Sequence, residues 1–190
     1  MKLFGWLKGK NSDHDSPLAQ WRAAWAAAVT GSEDADAELR RQFEAATAGQ
    51  PDVELETEML DALDQLRDTQ RRVKAGELPA VETHHRVIGG DICHFSAPAS
   101  LPTDQGHASG RVLLTGSKAV FVGGGRTSAT AWHSVHQLAR IERDVLLARP
   151  DGSPAAHFRF NTYADALVCA FLATELKGQK RRGSPSIIAR

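Results

Sequence analysis

The stretch GRVLLTGSKAVFVGGGR, residues 110–126, decides the fold of the second half of the chain. Two short apolar runs are separated by Gly116 and Ser117, which is the spacing of a β-hairpin. A nucleotide-binding loop would need a glycine in place of Arg111 and a helix after Lys118, but a strand pattern follows instead. We therefore expect a hairpin corner at this point and not a phosphate cradle.

Further strand patterns lie on both sides of this hairpin. Residues 84–97 precede it, and residues 127–142 and 144–162 follow it, with a reversal at Pro150-Asp151-Gly152. After them, Thr162 is placed to cap a helix with one apolar face. Consecutive antiparallel strands closed by one amphipathic helix indicate an α+β fold.

The first 79 residues instead repeat their apolar side chains at helical spacing. Ser16-Pro17 starts one predicted helix that ends at Gly31, a second helix ends at Gly49, and a third runs from about Asp52 to Gly76. Trp21 and Trp25 fall on the inward stripe of the first helix, so we expect them in the core and not in a ligand groove. The first two helices are predicted to form a helical hairpin.

These patterns divide the chain into four regions. Residues 1–15 are predicted to be a flexible apolar and basic segment, and residues 16–79 a three-helix region. Residues 80–177 are predicted to form the β domain with its C-terminal helix, and residues 178–190 a basic, disordered tail.

Composition limits the classes of partner. The chain has 23 Lys and Arg against 23 Asp and Glu, so no overall charge recruits nucleic acid, and we expect none to bind. Cys93 and Cys169 each lie in an apolar run, which favours buried thiols in a reducing compartment, and therefore the cytoplasm. The opening apolar stretch is too short for a signal peptide or a spanning helix.

The order of elements in residues 80–177 resembles a pleckstrin-homology-like (PH-like) domain of the bacterial, GRAM-related kind. The resemblance rests on GRVLLT, the GS turn, Lys118, AVFVGG, TSATAWHSVHQLARI, DVLLARPDGSPAAHFRF and the final helix TYADALVCAFLATEL. It implies an antiparallel β-barrel or sandwich capped by a C-terminal helix. It also implies a binding or assembly module without catalysis, and in some members a phosphoinositide site made of basic residues near the first strands.

Two groups of residues are the candidate binding sites. Arg111, Lys118 and Arg126 lie near the ends of the first hairpin, where they would form an anion or lipid head-group site, although solvated charges at a strand edge give the same pattern. Near the N-terminus, four apolar residues between lysines are candidates for a membrane or partner contact: Leu3, Phe4, Trp6 and Leu7. Packing of that segment on the protein itself or on a partner is the alternative that we favour.

No catalytic, cofactor or metal residues are predicted. His133 and His136 are three residues apart in an extended segment and would point to opposite faces, so they are poorly placed to share a metal. No serine lies in a G-x-S-x-G elbow. A metal-dependent enzyme that uses the histidines is the least favoured alternative.

The sequence thus predicts a non-enzymatic cytoplasmic module that binds a protein partner or a second copy of itself. The main alternative is a peripheral membrane module, on the inner face of the membrane, that binds anionic lipid head groups through the three basic residues and the terminal segments.

Overall fold

The computed structural model describes residues 16–103 and 106–182, which form four α-helices and seven β-strands. The helices are α1 (Pro17–Thr30), α2 (Asp36–Thr47), α3 (Glu54–Lys74) and α4 (Tyr163–Arg182). The strands are β1 (Cys93–Thr103), β2 (Gly106–Thr115), β3 (Lys118–Gly123), β4 (Arg126–Ala131), β5 (Gln137–Ile141), β6 (Asp144–Ala148) and β7 (Pro154–Phe160). The expected α+β fold class is confirmed.

The chain divides into two compact units between Leu63 and Asp64, inside α3. This division lies upstream of the boundary expected at residue 79. At the other end, α4 continues to Arg182, which is five residues into the segment for which we expected a disordered tail.

The first unit contains α1, α2 and the beginning of α3. Helix α1 begins as expected, because the Ser16 hydroxyl accepts a hydrogen bond from the Ala19 main-chain N–H at 3.2 Å and Pro17 occupies the first turn. Trp21 and Trp25 are 2% and 3% exposed, which confirms that they belong to the core.

Each of these two tryptophans also bonds a neighbouring helix. The Trp21 indole N–H donates to the Leu39 carbonyl of α2 at 3.0 Å, and the Trp25 indole N–H donates to the Met59 carbonyl of α3 at 2.6 Å. A buried indole N–H without a partner would destabilise the fold. Packing arrangements that break either bond are therefore disfavoured, and the two bonds help to set the position of α1 against α2 and the first part of α3.

The second unit is built on one antiparallel sheet with the strand order β4-β3-β2-β1-β7-β6-β5. Strands β1 to β4 form one meander and β5 to β7 a second, and α4 follows them, which is the element order that the PH-like resemblance implies. Within residues 16–103 and 106–182 the sheet is open and does not close into a barrel, so β4 and β5 are its edge strands.

The main core lies between the inner face of this sheet and α4. Its buried side chains alternate along the strands, as Val112 and Leu114 do on β2 and Phe158 and Phe160 on β7, and Leu172 lies among those from α4. A smaller cluster covers the outer face, where Ile88 and Cys93 pack against Leu113 and Val120. The segment before β1 therefore covers part of the sheet's outer face.

Candidate functional site

The corner at Gly116-Ser117 is held by hydrogen bonds within the protein. The buried Thr115 hydroxyl donates to the Asp91 carboxylate at 3.0 Å and accepts from the main-chain N–H groups of Ser117 and Lys118 at 3.2 Å. The Ser117 hydroxyl also donates to Asp91. The local main-chain donors are thus directed at a side chain of the same chain, and the hairpin-corner interpretation is confirmed.

The three basic residues predicted to bind an anion lie on different parts of the sheet. Arg111 pairs with Val122 and therefore faces outward, as Val120 does two residues away. Lys118 lies on the same face. It is four residues from Val122, the β3 partner of Arg111, which separates the two basic residues by roughly 13 Å along the strand. Arg126 pairs with Gly123, whose face is that of Phe121 and the main core. The structure therefore does not bring the three together as one site.

Two of these side chains already have partners in the protein. The Lys118 ammonium donates to the Val87 carbonyl at 3.1 Å, which fastens the segment before β1 to β3. The Arg111 guanidinium donates to the Ser96 hydroxyl at 3.0 Å. Lys118 therefore has a structural role, and Arg111 stands beside a polar groove.

The groove beside Arg111 lies on the outer face of β1 and β2 and has a volume of about 560 Å³. Its lining residues are Val81, Glu82, Thr83, His84, His85, Ser96 and Arg111. The segment 81–85 forms one wall and the two strands form the other. Guanidinium, imidazole and hydroxyl groups are suited to bind an oxyanion, whereas the negative charge of the Glu82 carboxylate would repel one.

Strand β4 presents an open edge that sequence reasoning did not locate. In an antiparallel pair, residues alternate between those bonded to the neighbouring strand and those whose main-chain groups point away from it. The two-residue turn Gly124-Gly125, with φ of 57° and 70°, closes the β3–β4 hairpin on the pair Gly123–Arg126. Such a turn makes the closing pair a hydrogen-bonded one.

Counting from that pair sets the direction of every main-chain group in β4. Arg126, Ser128 and Thr130 are bonded to β3, whereas Thr127, Ala129 and Ala131 direct their N–H and C=O groups away from it. A hydrogen bond at the other end of the hairpin supports this assignment. The Trp132 N–H donates to the Ser117 carbonyl at 3.1 Å, so the preceding pair, Lys118–Ala131, is a non-hydrogen-bonded one.

The outward groups of Thr127 and Ala129 lie in a solvent-exposed part of the strand. Residues 126–129 are all exposed, and among the described residues no hydrogen bond from outside the sheet reaches the main chain of Thr127 or Ala129. The outward carbonyl of Ala131, in contrast, accepts from the Ser134 hydroxyl at 2.8 Å. The open edge is therefore the part of β4 centred on Thr127 to Ala129.

The opposite edge, β5, is more protected. Helix α4 packs against it, and the Lys177 ammonium donates to the His136 carbonyl just before the strand. Arg140 places a charged side chain on β5 itself, and its guanidinium donates to the Glu142 carbonyl at 2.6 Å. Charges and a covering helix are the usual protections of an edge strand.

An ion pair on β6 and β7 was also absent from the sequence prediction. Asp144 pairs with Arg159 across the two strands, and the guanidinium donates to both carboxylate oxygens at 2.9 and 2.8 Å. The His157 Nε2 lies 3.3 Å from Asp144 Oδ1. The hydrogen bonds from Arg159 lower the pKa of the Asp144 carboxyl, although its partial burial opposes the shift.

The histidines do not assemble into a metal site in the part of the chain that the structure describes. No group of three or more His, Cys, Asp or Glu side chains there is placed to hold a metal ion. His133 and His136 are both exposed, and His94 Nδ1 lies 2.7 Å from the Pro79 carbonyl oxygen. Both cysteines are free and buried, and burial raises the pKa of each thiol.

The candidate contact residues Leu3, Phe4, Trp6 and Leu7 lie outside the described residues. Among the helices that the structure does describe, none combines the length and the apolar character needed to cross a bilayer.

Comparisons with known proteins find weak similarities of structure only. No protein-family model and no curated protein matches the chain. The C-terminal domain of an unknown protein from Leishmania infantum matches with 9% identity and a TM-score of 0.41, over 47% of this chain and 88% of that one. Inner membrane complex sub-compartment protein 1 from Toxoplasma gondii matches with 13% identity and a TM-score of 0.40, over 60% and 92%.

An activated truncation of Vav1 matches with 9% identity and a TM-score of 0.42, over 85% of this chain but only 46% of that one. Scores of this size assign the chain to no family, and the bacterial, GRAM-related origin that the sequence suggested stays a prediction.

Proposed function

We propose that this chain is a binding module whose sheet takes up an extended main-chain segment along β4. The observation that carries the proposal is the direction of the main chain at Thr127 and Ala129, which offers two N–H donors and two C=O acceptors to a neighbouring strand. Strand addition to an exposed sheet edge is a general mode of protein recognition.

The side chains of β4 favour such an addition. Its sequence, RTSATA, contains neither proline nor lysine, and Arg126 at the hairpin end carries its one charge. Natural sheets protect their edges with prolines, bulges or charged side chains directed against an incoming strand, and the middle of β4 has none of these. Its small side chains leave room for those of an added strand along residues 126–129, whereas the half-buried Thr130 donates its hydroxyl to the Ala155 carbonyl of β7 at 3.4 Å.

The expected affinity is modest. Each main-chain hydrogen bond contributes about 1 kcal/mol net, so four of them offset only part of the entropy lost on association. Side-chain contacts of the added strand must supply the rest. We therefore expect binding in the micromolar range or weaker, and selection by the shape and charge of the partner's side chains.

The test uses a capped peptide of alternating Thr and Val, eight residues long, with a Glu at each end. Titrated into the ¹⁵N-labelled full chain, it should shift the amide signals of Thr127 and Ala129 more than those of Lys118 or Val120. Ala129→Pro removes an outward N–H without removing a bond to β3, and should abolish the shifts. Ala129→Thr keeps that N–H and should preserve them. Shifts confined to another surface, or equal in both variants, would contradict the proposal.

The proposal assigns no catalytic step to the chain. A non-catalytic role is supported by the burial of both thiols and by the separate positions of the described histidines. Metal analysis of the purified protein tests it. A stoichiometric transition metal would contradict it and favour an enzyme.

A second candidate function is supported by the groove beside Arg111. A phosphate group seated there would meet the guanidinium, the Ser96 hydroxyl and the imidazoles of His84 and His85. The chain would then bind anionic lipid head groups at a membrane surface. Of the three basic residues first considered, Arg111 is the one that lines this groove.

Vesicle flotation separates this candidate from the first. Phosphatidylserine vesicles should float the full chain at low salt, and Arg111→Ala should reduce the floated fraction severalfold. Arg126→Ala is the matched control, since Arg126 is an exposed arginine on the other face of the sheet, and it should change little. Equal losses in both variants would indicate unspecific charge attraction.

A further inference from the structure

We infer that the strand added to β4 is β4 of a second copy of this chain, in antiparallel orientation and centred on Ser128. This inference rests on the proposed function and goes beyond it by naming the partner. It follows from the register that β4 permits with itself and from the side chains that this register brings together.

The alternation of main-chain groups restricts the register. Only residues with outward N–H and C=O groups can form hydrogen-bonded pairs across the new interface, which in the exposed part of β4 means Thr127 and Ala129. Placing Thr127 of each copy opposite Ala129 of the other makes four main-chain hydrogen bonds. A shift by one residue would bring outward groups against groups already bonded to β3, so that register is excluded.

In this register the side chains of the two copies are compatible. Ser128 lies opposite Ser128 of the second copy, in a pair whose side chains approach closely and can share a hydrogen bond. Arg126 lies opposite Thr130, so the two arginines do not face each other. Gly125 lies opposite Ala131, and neither presents a bulky side chain to the other.

The size of the contact predicts a weak dimer. About five residues of each copy take part, which is well below the area that stable protein complexes bury. The dissociation constant should therefore be on the order of 100 μM or weaker. Self-association of this strength would be absent from dilute samples and would appear at higher concentration.

Sedimentation of the full chain over a wide concentration range is the first part of the test. The mass of 20.6 kDa at low concentration should rise toward twice that value at the highest concentrations. Ala129→Pro should hold the chain at the mass of one copy, whereas Ala129→Thr should retain the rise. A dimer that Ala129→Pro leaves unchanged would overturn the inference, because the contact would then lie elsewhere.

A charge exchange at Ser128 tests the register and does not depend on a proline variant that folds. Ser128→Lys and Ser128→Glu should each abolish the rise in mass, since each places like charges opposite each other. An equimolar mixture of the two variants should restore it through a heterodimer. If the mixture behaves as the sum of two single copies while the native chain dimerises, Ser128 does not face Ser128 and the inference is wrong.

Failure of this inference is distinguishable from failure of the proposed function. A chain that stays a single copy at every concentration, but whose Thr127 and Ala129 amides respond to the Thr-Val peptide, overturns self-pairing and retains strand addition. A chain that stays a single copy and does not respond to the peptide overturns both.

Discussion

Gly110 of β2 and Gly123 of β3 lie directly opposite each other, and their main chains approach so closely that neither position has room for a side chain. A Cβ atom on Gly123 would lie 2.3 Å from the Cα of Gly110, and one on Gly110 would lie 2.4 Å from the Val122 carbonyl oxygen. The ring of Phe121 fills the remaining space, 2.6 Å from the same added Cβ. This pair stands next to the turn from which β4 starts.

Substitution of either glycine by alanine should therefore destabilise the second unit. Main-chain atoms form the closest contacts and cannot move aside as a flexible side chain would, so we expect Gly123→Ala to cost about 1–3 kcal/mol of unfolding free energy. Urea denaturation followed by circular dichroism measures this cost. Gly116→Ala is the control, because an added Cβ there meets nothing within 4 Å. Equal effects at the two positions would contradict the close approach.

Arg22→Ala should destabilise the first unit. The Glu56 carboxylate is 1% exposed and its Oε1 accepts from the Arg22 Nε at 2.7 Å, so removal of Arg22 leaves a buried charge without this partner. Because Arg22 is half-exposed and water can enter in its place, we expect a cost of about 1–3 kcal/mol and not the larger cost of a fully buried pair. Thermal unfolding measures it. Arg41→Ala breaks an exposed pair with Glu38 and should change little; a cost as large as that of Arg22→Ala would contradict the account.

The pair of Asp144 and Arg159 should make the stability of the second unit sensitive to acid. The pKa of the Asp144 carboxyl is lower in the folded chain than in the unfolded one, where it is about 3.9, so its contribution is fully present above that value. The contribution is lost as the pH falls through the folded pKa. Asp144→Asn should be less stable than the native chain at pH 6 and should lose less further stability between pH 5 and pH 2. Urea midpoints across that range check this; parallel curves for the two proteins would show that Asp144 is not the titrating group.

Thr115→Val should weaken the hairpin corner. The Thr115 hydroxyl is buried and bonds Asp91 and the main chain of Lys118, and valine keeps its shape while removing every one of these bonds. We expect a loss of about 1–3 kcal/mol in urea denaturation. Thr127→Val on the exposed strand β4 is the matched control and should be near neutral. An unchanged stability in Thr115→Val would mean that the corner does not depend on this hydroxyl.

The sequence predicted the elements well because their signals are local. The cap at Ser16, the stop at Gly31 and the two-residue turn at Gly116-Ser117 each depend on residues within a few positions of one another. The hydrogen bonds of the Trp21 and Trp25 indoles could not be predicted from local sequence, since their acceptors lie 18 and 34 residues away on other helices.

The candidate sites were harder to predict because they depend on register. Arg111, Lys118 and Arg126 are close in sequence, yet the pairing of β2 with β3 and of β3 with β4 separates them along and across the sheet. Asp144 and Arg159 are 15 residues apart, and only the register of β6 and β7 makes them partners. The open edge of β4 follows from the strand order, which no pattern within β4 itself reveals.

Amide hydrogen exchange along β4, measured residue by residue in the full chain, tests the central claim most directly. In dilute protein, the N–H groups of Thr127 and Ala129 should exchange rapidly, whereas those of Ser128 and Thr130, which are bonded to β3, should exchange slowly. Addition of the Thr-Val peptide, or a higher protein concentration, should slow exchange at Thr127 and Ala129 alone. If these two amides are already protected in dilute protein, or stay unprotected under both conditions, β4 is not an open binding edge.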